Sequence, residues 1–228
     1  MNVVILSRTK VTLDQVAKEI GATTGRRVKV IVTDLMKDVF SDIEDQLRGL
    51  DIGVLVNNVG MLPSFNPCKF LECAELDQVS GVSVMCRIIL PGMENRGKGV
   101  IVNISSGVAS IPFPLYTLYA ASKIFSRSPW LHCKSKKYIF AVAPFGVSTR
   151  MADYQKTNIV TLSPEDFVKS SLQYIRAGDK TYGSVCHIVL GWLLQSIPFK
   201  ILYAESMLLG LQDYVKKRRP APVHRVQL

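Results

Sequence analysis

The sequence predicts an α/β fold organised around a doubly wound parallel sheet. Three observations carry that reading. Short, nearly continuous runs of apolar and β-branched residues recur along the chain. Stretches with apolar residues at helical spacing lie between those runs. The two kinds alternate, as they do where parallel strands are joined by crossover helices.

The first strand run is Val3–Leu6. A helix is expected from Thr12, because Thr12-Leu-Asp-Gln15 has capping-box spacing ahead of Val16 and Ile20, and Gly25 lies just past its end. Val28–Val32 is the second run, followed by Ile43, Leu47 and Leu50 at helical spacing. The third run, Ile52–Val56, leads into Asn57, Asn58, Val59 and Gly60. The fourth, Val100–Ile104, leads into Ser105, Ser106 and Gly107, and Tyr138–Val142 is the fifth. A later helix opens on Ser163, with Pro164 at its first position and Glu165 and Asp166 in its first turn. Phe167, Ser171 and Tyr174 then share one face. Strands so continuously apolar are expected to be covered on both faces.

The composition, 48% apolar and 20% charged, excludes a disordered chain. Lysine and arginine number 28 against 18 acids, a net charge of +10. The excess is local. Residues 123–137 hold Lys123, Arg127, Lys134, Lys136 and Lys137 with no acid, and residues 216–228 hold Lys216, Lys217, Arg218, Arg219 and Arg225 with none. Without these ten the chain is neutral, and no aromatic-basic interleaving is present, so nucleic acid is not an expected partner. Five cysteines without a C-x-x-C spacing, and three histidines, suggest reduced thiols and no metal site. Four apolar residues near Met1 do not make a signal-peptide core. Thr181–Phe199 is uncharged and long enough to span a membrane. Its Gly183, His187, Gly191, Gln195 and Pro198 favour a buried or membrane-leaning helix instead.

Three segments carry chemistry. Asn57 to Gly60 follows a strand, where a parallel sheet would bind a ligand. Ser105-Ser106-Gly107 follows another. Tyr119-Ala-Ala-Ser-Lys123 puts a phenol and an ammonium one helical turn apart. The positive charge is expected to lower the tyrosine pKa and let it exchange a proton near neutral pH. Each segment alone also reads as a polar turn or a surface pair.

Together they resemble the short-chain dehydrogenase/reductases. Ser106, Tyr119 and Lys123 have that family's active-site spacing, and Asn57-Asn58-Val59-Gly60 is similar to its NNAG signature. The runs NVVILSRT, LVNNVGMLP, NISSG, FPLYTLYAASK and NIVTLSPEDFVKSSLQY resemble the branch called 17β-hydroxysteroid dehydrogenase type 3. The very-long-chain 3-oxoacyl-CoA reductases, type 12, are close kin, and GATTGRRVKV and MLP favour type 3.

The resemblance implies a Rossmann-like fold and reduction of a 17-ketosteroid, androstenedione to testosterone, with NADPH at the endoplasmic reticulum membrane. Tyr119 would protonate the ketone oxygen and Ser106 would bind it. Lys123 would lower the tyrosine pKa and hold the nicotinamide ribose. Arg8 would pair with the 2′-phosphate of NADPH, as the charge and fork of arginine allow. Asp34 would contact the adenine, and Asn57 and Gly60 the adenosine side. Pro144, Gly146, Val147 and Thr149 would lie around the carboxamide.

The chain also departs from the family. It has no T-G-x-x-x-G-x-G turn, which would hold the pyrophosphate, and Met1 opens on what resembles the second strand. The first strand would sit centrally in the order 3-2-1-4-5-6-7. Two sheet fragments and weak NADPH binding are therefore expected, with the membrane anchor of the branch absent. The stretch 70–88 is short against the branch, and Gln78 is given no role. Pro129 interrupts the helix through which the family forms homodimers. The expected organisation is an incomplete dehydrogenase domain over 1–215, apolar from about 181, and a basic tail over 216–228. A non-catalytic remnant that binds a partner or membrane through that tail and apolar segment is the alternative of a different class.

Overall fold

The structure, a computed structural model, describes residues 1–35, 40–60, 80–111, 113–114, 116–127, 139–152, 154–175 and 178–217. Pro129, Gln78, Tyr138, the lysines 134, 136 and 137, the tail beyond Lys217 and Cys68, Cys73 and Cys133 lie outside them. The chain divides into two compact units, 1–52 with 80–97, and 53–79 with 98–228.

In the first unit β1 (Val3–Ser7), α1 (Lys10–Thr24) and β2 (Val28–Val32) form a strand-helix-strand crossover. β1 and β2 pair in parallel, Val3 opposite Val28 and Ser7 opposite Val32. α1 starts two residues before the expected Thr12. The carbonyl of Thr9 already accepts the first helical hydrogen bond from the Leu13 amide at 3.1 Å. A Lys10–Asp14 ion pair, 2.7 Å long, supports that first turn. Gly25 ends the helix at φ 67°, a left-handed conformation that glycine adopts without a Cβ penalty. α2 (Phe40–Leu47) buries Ile43 and Leu47, one turn apart, whereas Leu50 lies past its end and is exposed. α3 (Ser80–Asn95) buries Val82, Met85, Ile89 and Met93 at helical spacing. Arg96 then anchors the following turn through Asp51 at 2.7 Å and the Ile52 carbonyl at 2.7 Å.

In the second unit β3 (Val54–Asn57), β4 (Val100–Ile104) and β5 (Ile139–Val142) pair in parallel, with Asn57 opposite Asn103 and Ile104 opposite Val142. Between β4 and β5 comes α4 (Thr117–Arg127). Two-residue strands β6 (Gly146–Val147) and β7 (Thr161–Leu162) form a small parallel ladder of their own. After α5 (Pro164–Tyr174), β8 (Lys180–Thr181) completes the sheet in the order β3-β4-β5-β8. α6 (Val185–Gln195), α7 (Phe199–Leu202) and α8 (Glu205–Lys217) follow. The described strands thus form three parallel sheets, β1-β2, β3-β4-β5-β8 and β6-β7, one more than the two fragments expected, because the two-residue strands β6 and β7 pair apart from the rest.

β4 and β5 are nearly continuously buried, as their apolar runs predict. β3 is not covered on both faces. Among the described residues it pairs with β4 alone, and its Val54 and Val56 are exposed while Leu55 and Asn57 are buried. Val102, Val142 and Phe167 make the centre of this core, with Val147, Leu162 and Ile175 packed against it. Phe167 is delivered by α5, whose start is as expected: the Ser163 hydroxyl accepts from the Asp166 amide at 3.0 Å, ahead of Pro164. Among the described residues no helix is long and apolar enough to cross a membrane. The uncharged stretch 181–199 is broken by a turn at Gly183, φ 80°, and by the end of α6 at Gln195.

Candidate active site

The C-terminal ends of β4 and β5 fix a platform. The Ser105 amide donates to the Val142 carbonyl at 2.8 Å and the Gly107 amide to the Pro144 carbonyl at 2.7 Å. Ser106, buried, sits in extended backbone between these two ties, just before a short 3₁₀ turn at Gly107–Ser110. The hydroxyl of its neighbour Ser105 donates to the Lys123 carbonyl at 2.6 Å, so the strand end also holds the middle of α4.

α4 presents Tyr119 and Lys123 one turn apart. Tyr119 is half-buried, and a side-chain hydrogen bond joins it to Ser106. Burial raises its pKa above the ordinary 10.0, and the Ser106 hydrogen bond opposes the rise. This is opposite to the direction expected from the Tyr-Lys spacing. The reason is where the ammonium goes. Lys123 is only 4% exposed, and its Nζ donates to the Val59 carbonyl at 3.1 Å and the Ile104 carbonyl at 3.0 Å. Among the described residues no carboxylate pairs with it, and burial lowers its pKa from 10.5 to about 8.

Gly60 has a steric role that the sequence does not announce. A Cβ there would stand 2.5 Å from Lys123 Nζ and 2.8 Å from its Cε. A side chain there would push the end of Lys123 away from its carbonyl partners. Asn57 is 2% exposed, and its amide nitrogen donates to Asn103 Oδ1 at 2.8 Å, a strut between the ends of β3 and β4. The Asn103 side-chain nitrogen is itself buried without a partner.

The segment Pro144–Thr149 forms a second wall. Gly146 and Val147 pair with Thr161 and Leu162, and a Cβ on Gly146 would meet Thr161 Oγ1 at 2.9 Å. Phe145 stacks on Tyr182, with ring centroids 5.5 Å apart. Its other neighbour is Gly107, where an added Cβ would lie 2.5 Å from the Phe145 ring. His187 of α6, fully buried, pins the segment from below. Its Nδ1 accepts from the Phe145 amide at 3.4 Å, so Nε2 carries the proton and donates to the Val160 carbonyl at 2.9 Å.

The second unit thus brings together Ser106, Tyr119, Lys123, Asn57, Gly60 and the Pro144–Thr149 segment. Arg8 directly follows β1, and Asp34 follows β2 by two residues, both in the first unit. The segments that contain Asn103, Ser105 and Phe145 stand out in the sequence, but the contacts these residues make do not, and nothing there marks His187 as part of the site. Their partners are backbone atoms, a second amide and a glycine, which leave no spacing motif. Cys86 and Cys186 are half-buried and in no disulfide among the described residues.

Residues 1–159 match the family profile described as short chain dehydrogenase. A 17-beta-hydroxysteroid dehydrogenase type 3 of Danio rerio is 49% identical over 96% of this chain and 76% of its own length. A very-long-chain 3-oxoacyl-CoA reductase of Macaca fascicularis is 36% identical over 91% of this chain and 71% of its own. Among solved structures, a short-chain dehydrogenase from Sphingobium yanoikuyae superposes with a TM-score of 0.71 at 22% identity, covering 99% of this chain and 87% of that one, a likeness of fold. Profile, relatives and a Ser-Tyr-Lys cluster mounted on the sheet ends all lead to one conclusion: the chain belongs to the short-chain dehydrogenase family.

Proposed function

We propose that this chain reduces a 17-ketosteroid to the 17β-hydroxysteroid, androstenedione to testosterone, with NADPH as reductant at the endoplasmic reticulum membrane. The observation that carries the reading is the hydrogen-bonded pair Ser106–Tyr119 one turn from the buried cation Lys123. The choice of ketone is supported by the 49% identical relative, whose name is that of a 17β-hydroxysteroid dehydrogenase. The catalytic domain in this reading is residues 1–215, and 216–228 is a basic tail.

The residues of the second unit suit the nicotinamide half of a dinucleotide, while the pyrophosphate turn of the family has no counterpart in the sequence. Lys123 has three N–H donors and spends two on the Val59 and Ile104 carbonyls, which leaves one for a ribose hydroxyl. Pro144, Gly146, Val147 and Thr149 stand on a segment fixed by His187 and β7, suited to hold a carboxamide. Asn57 and Gly60 would line the adenosine side, Asp34 the adenine, and Arg8 the 2′-phosphate that distinguishes NADPH from NADH. NADPH, when bound, supplies the hydride. Tyr119 holds the proton that the ketone oxygen takes up. Ser106 donates a hydrogen bond to the same oxygen as charge develops there. Lys123 contributes a positive charge beside the site and orients the ribose.

The test is turnover of androstenedione with NADPH by the purified chain, followed by mass spectrometry of the product. Tyr119→Phe removes the proton donor and is expected to lower the rate about 10²- to 10⁴-fold without loss of fold. Equal turnover in Tyr119→Phe would remove Tyr119 as the proton donor, and no turnover by the unsubstituted chain would leave a binding protein. Faster turnover of a 3-oxoacyl-CoA than of the steroid would move the assignment to the acyl-CoA reductases.

A further inference from the structure

The second unit carries an apolar ridge that the proposed reaction does not use. On α6 the exposed residues are Val185, Ile188, Val189, Trp192 and Leu193, at positions i, i+3, i+4, i+7 and i+8 of one helix. Residues so spaced form a single continuous stripe. Trp192 is 67% exposed. α7 continues the pattern with exposed Phe199 and Ile201.

This stripe cannot roll inward. The opposite face of α6 is pinned by His187, bonded to the Phe145 amide and the Val160 carbonyl, and by Gly191, where an added Cβ would meet the Tyr182 ring at 2.7 Å. Rotating α6 to bury its valines would break both hydrogen bonds. The helix therefore presents its apolar face outward and its small and polar face inward, the reverse of an ordinary surface helix.

The chemistry around the ridge names its partner. Residues 181–199 contain no Asp, Glu, Lys or Arg, so nothing charged would be dragged into an apolar medium. Tryptophan and tyrosine suit the headgroup level of a bilayer. The first charge after the stretch is exposed Lys200, and the chain ends with Lys216, Lys217, Arg218, Arg219 and Arg225 over 216–228 without an acid. That charge complements an anionic lipid surface. α6, at 11 residues, is about 16 Å long, roughly half the hydrocarbon thickness of a bilayer, so it would lie in the interface rather than cross it.

We propose that α6 and α7 dock in the plane of an anionic lipid bilayer, with the stripe at the acyl boundary and the basic C-terminus on the headgroups. The proposal deepens the assignment to a membrane site of action, yet it stands apart from the choice of ketone. The full chain, in a Trp130→Phe background that leaves Trp192 as the reporter, is mixed with vesicles of phosphatidylcholine, with and without phosphatidylserine. Cosedimentation is expected, stronger with phosphatidylserine, with a blue shift of Trp192 emission and quenching by brominated acyl chains. Ile188→Glu with Val189→Glu is expected to weaken vesicle binding by about tenfold or more. Neutralising Lys216, Lys217, Arg218 and Arg219 to Gln should remove most of the preference for phosphatidylserine. Reductase turnover on a water-soluble ketone should be unchanged in these variants, since the outward face of α6 holds no residue of the site. Absent turnover with intact vesicle binding would sink the reductase reading and leave docking in place. Docking is overturned if the unsubstituted chain leaves vesicles unbound, if Trp192 escapes acyl-chain quenching, or if light scattering shows a dimer that the two glutamates dissolve.

Discussion

Replacing Lys123 with Met should abolish a rise in folding stability that the unsubstituted chain shows from about pH 8 to 10.5. The lysine is buried, its only described partners are two carbonyls, and its pKa falls from 10.5 to about 8. Below pH 8 the group is charged in folded and unfolded chains alike, so stability is flat and carries the full cost of burying the ammonium. Between the two pKa values the unfolded chain binds the extra proton, and stability climbs with pH. Above 10.5 both states are neutral and the climb ends. The drop in pKa corresponds to a total gain of about 3 kcal/mol. That is a large share of the roughly 5–15 kcal/mol that holds a domain together. Urea unfolding of both proteins across this range gives the difference directly, because every other titrating group cancels between them. Methionine keeps the length of the side chain and carries no proton. The two stability curves should diverge by about 3 kcal/mol as pH rises. Parallel curves, within about 0.5 kcal/mol, would refute the burial argument and mean that the ammonium is well solvated.

Other changes test the walls of the site. Gly60→Ala should cost about 1 kcal/mol of stability but cut turnover at least tenfold, because the new methyl displaces the Lys123 ammonium from its carbonyls; paired urea and rate measurements separate the two. Gly107→Ala pushes a methyl into the rigid Phe145 ring and should cost about 1–3 kcal/mol in the same unfolding assay. His187→Leu strands the Phe145 amide and the Val160 carbonyl, and is expected to cost about 2–4 kcal/mol and to raise the KM for NADPH more than it lowers kcat. Ser163→Ala removes the cap of α5 at a cost of about 1 kcal/mol, with no effect on turnover.

The parts of the fold legible in the sequence are those with local causes. β4 and β5 read as buried strands because both faces are covered, and Ser163, Pro164 and Gly25 mark helix ends by their own chemistry. The start of α1 was misjudged because Thr12 offers capping-box spacing while Thr9 already supplies the first helical acceptor. Strands of two residues, β6, β7 and β8, leave no periodicity, since their pairing is decided by partners far along the chain. The site divides the same way. Ser106, Tyr119 and Lys123 are visible as a spacing. The carbonyls that hold Lys123 are not, because any residue has one. His187 was invisible for the same reason: its acceptor and donor are backbone groups 27 and 42 residues away.

The two pKa shifts in the site have one cause and a shared consequence. Burial favours the neutral form of each group, so it pushes Tyr119 up and Lys123 down. Their order is therefore fixed: as pH rises, Lys123 loses its proton first. At neutral pH the site holds a protonated phenol beside a cation, which is the state that gives a proton to a ketone oxygen. Oxidation of an alcohol needs the phenolate instead. The dryness of the site thus disfavours the charged form of both groups. The same dryness explains the glycines. Gly60 and Gly107 let backbone and ring approach the lysine and the serine strand, since an added Cβ would stand 2.5 Å from Lys123 Nζ at the one and 2.5 Å from the Phe145 ring at the other. Any change that admitted water would relax both pKa values together.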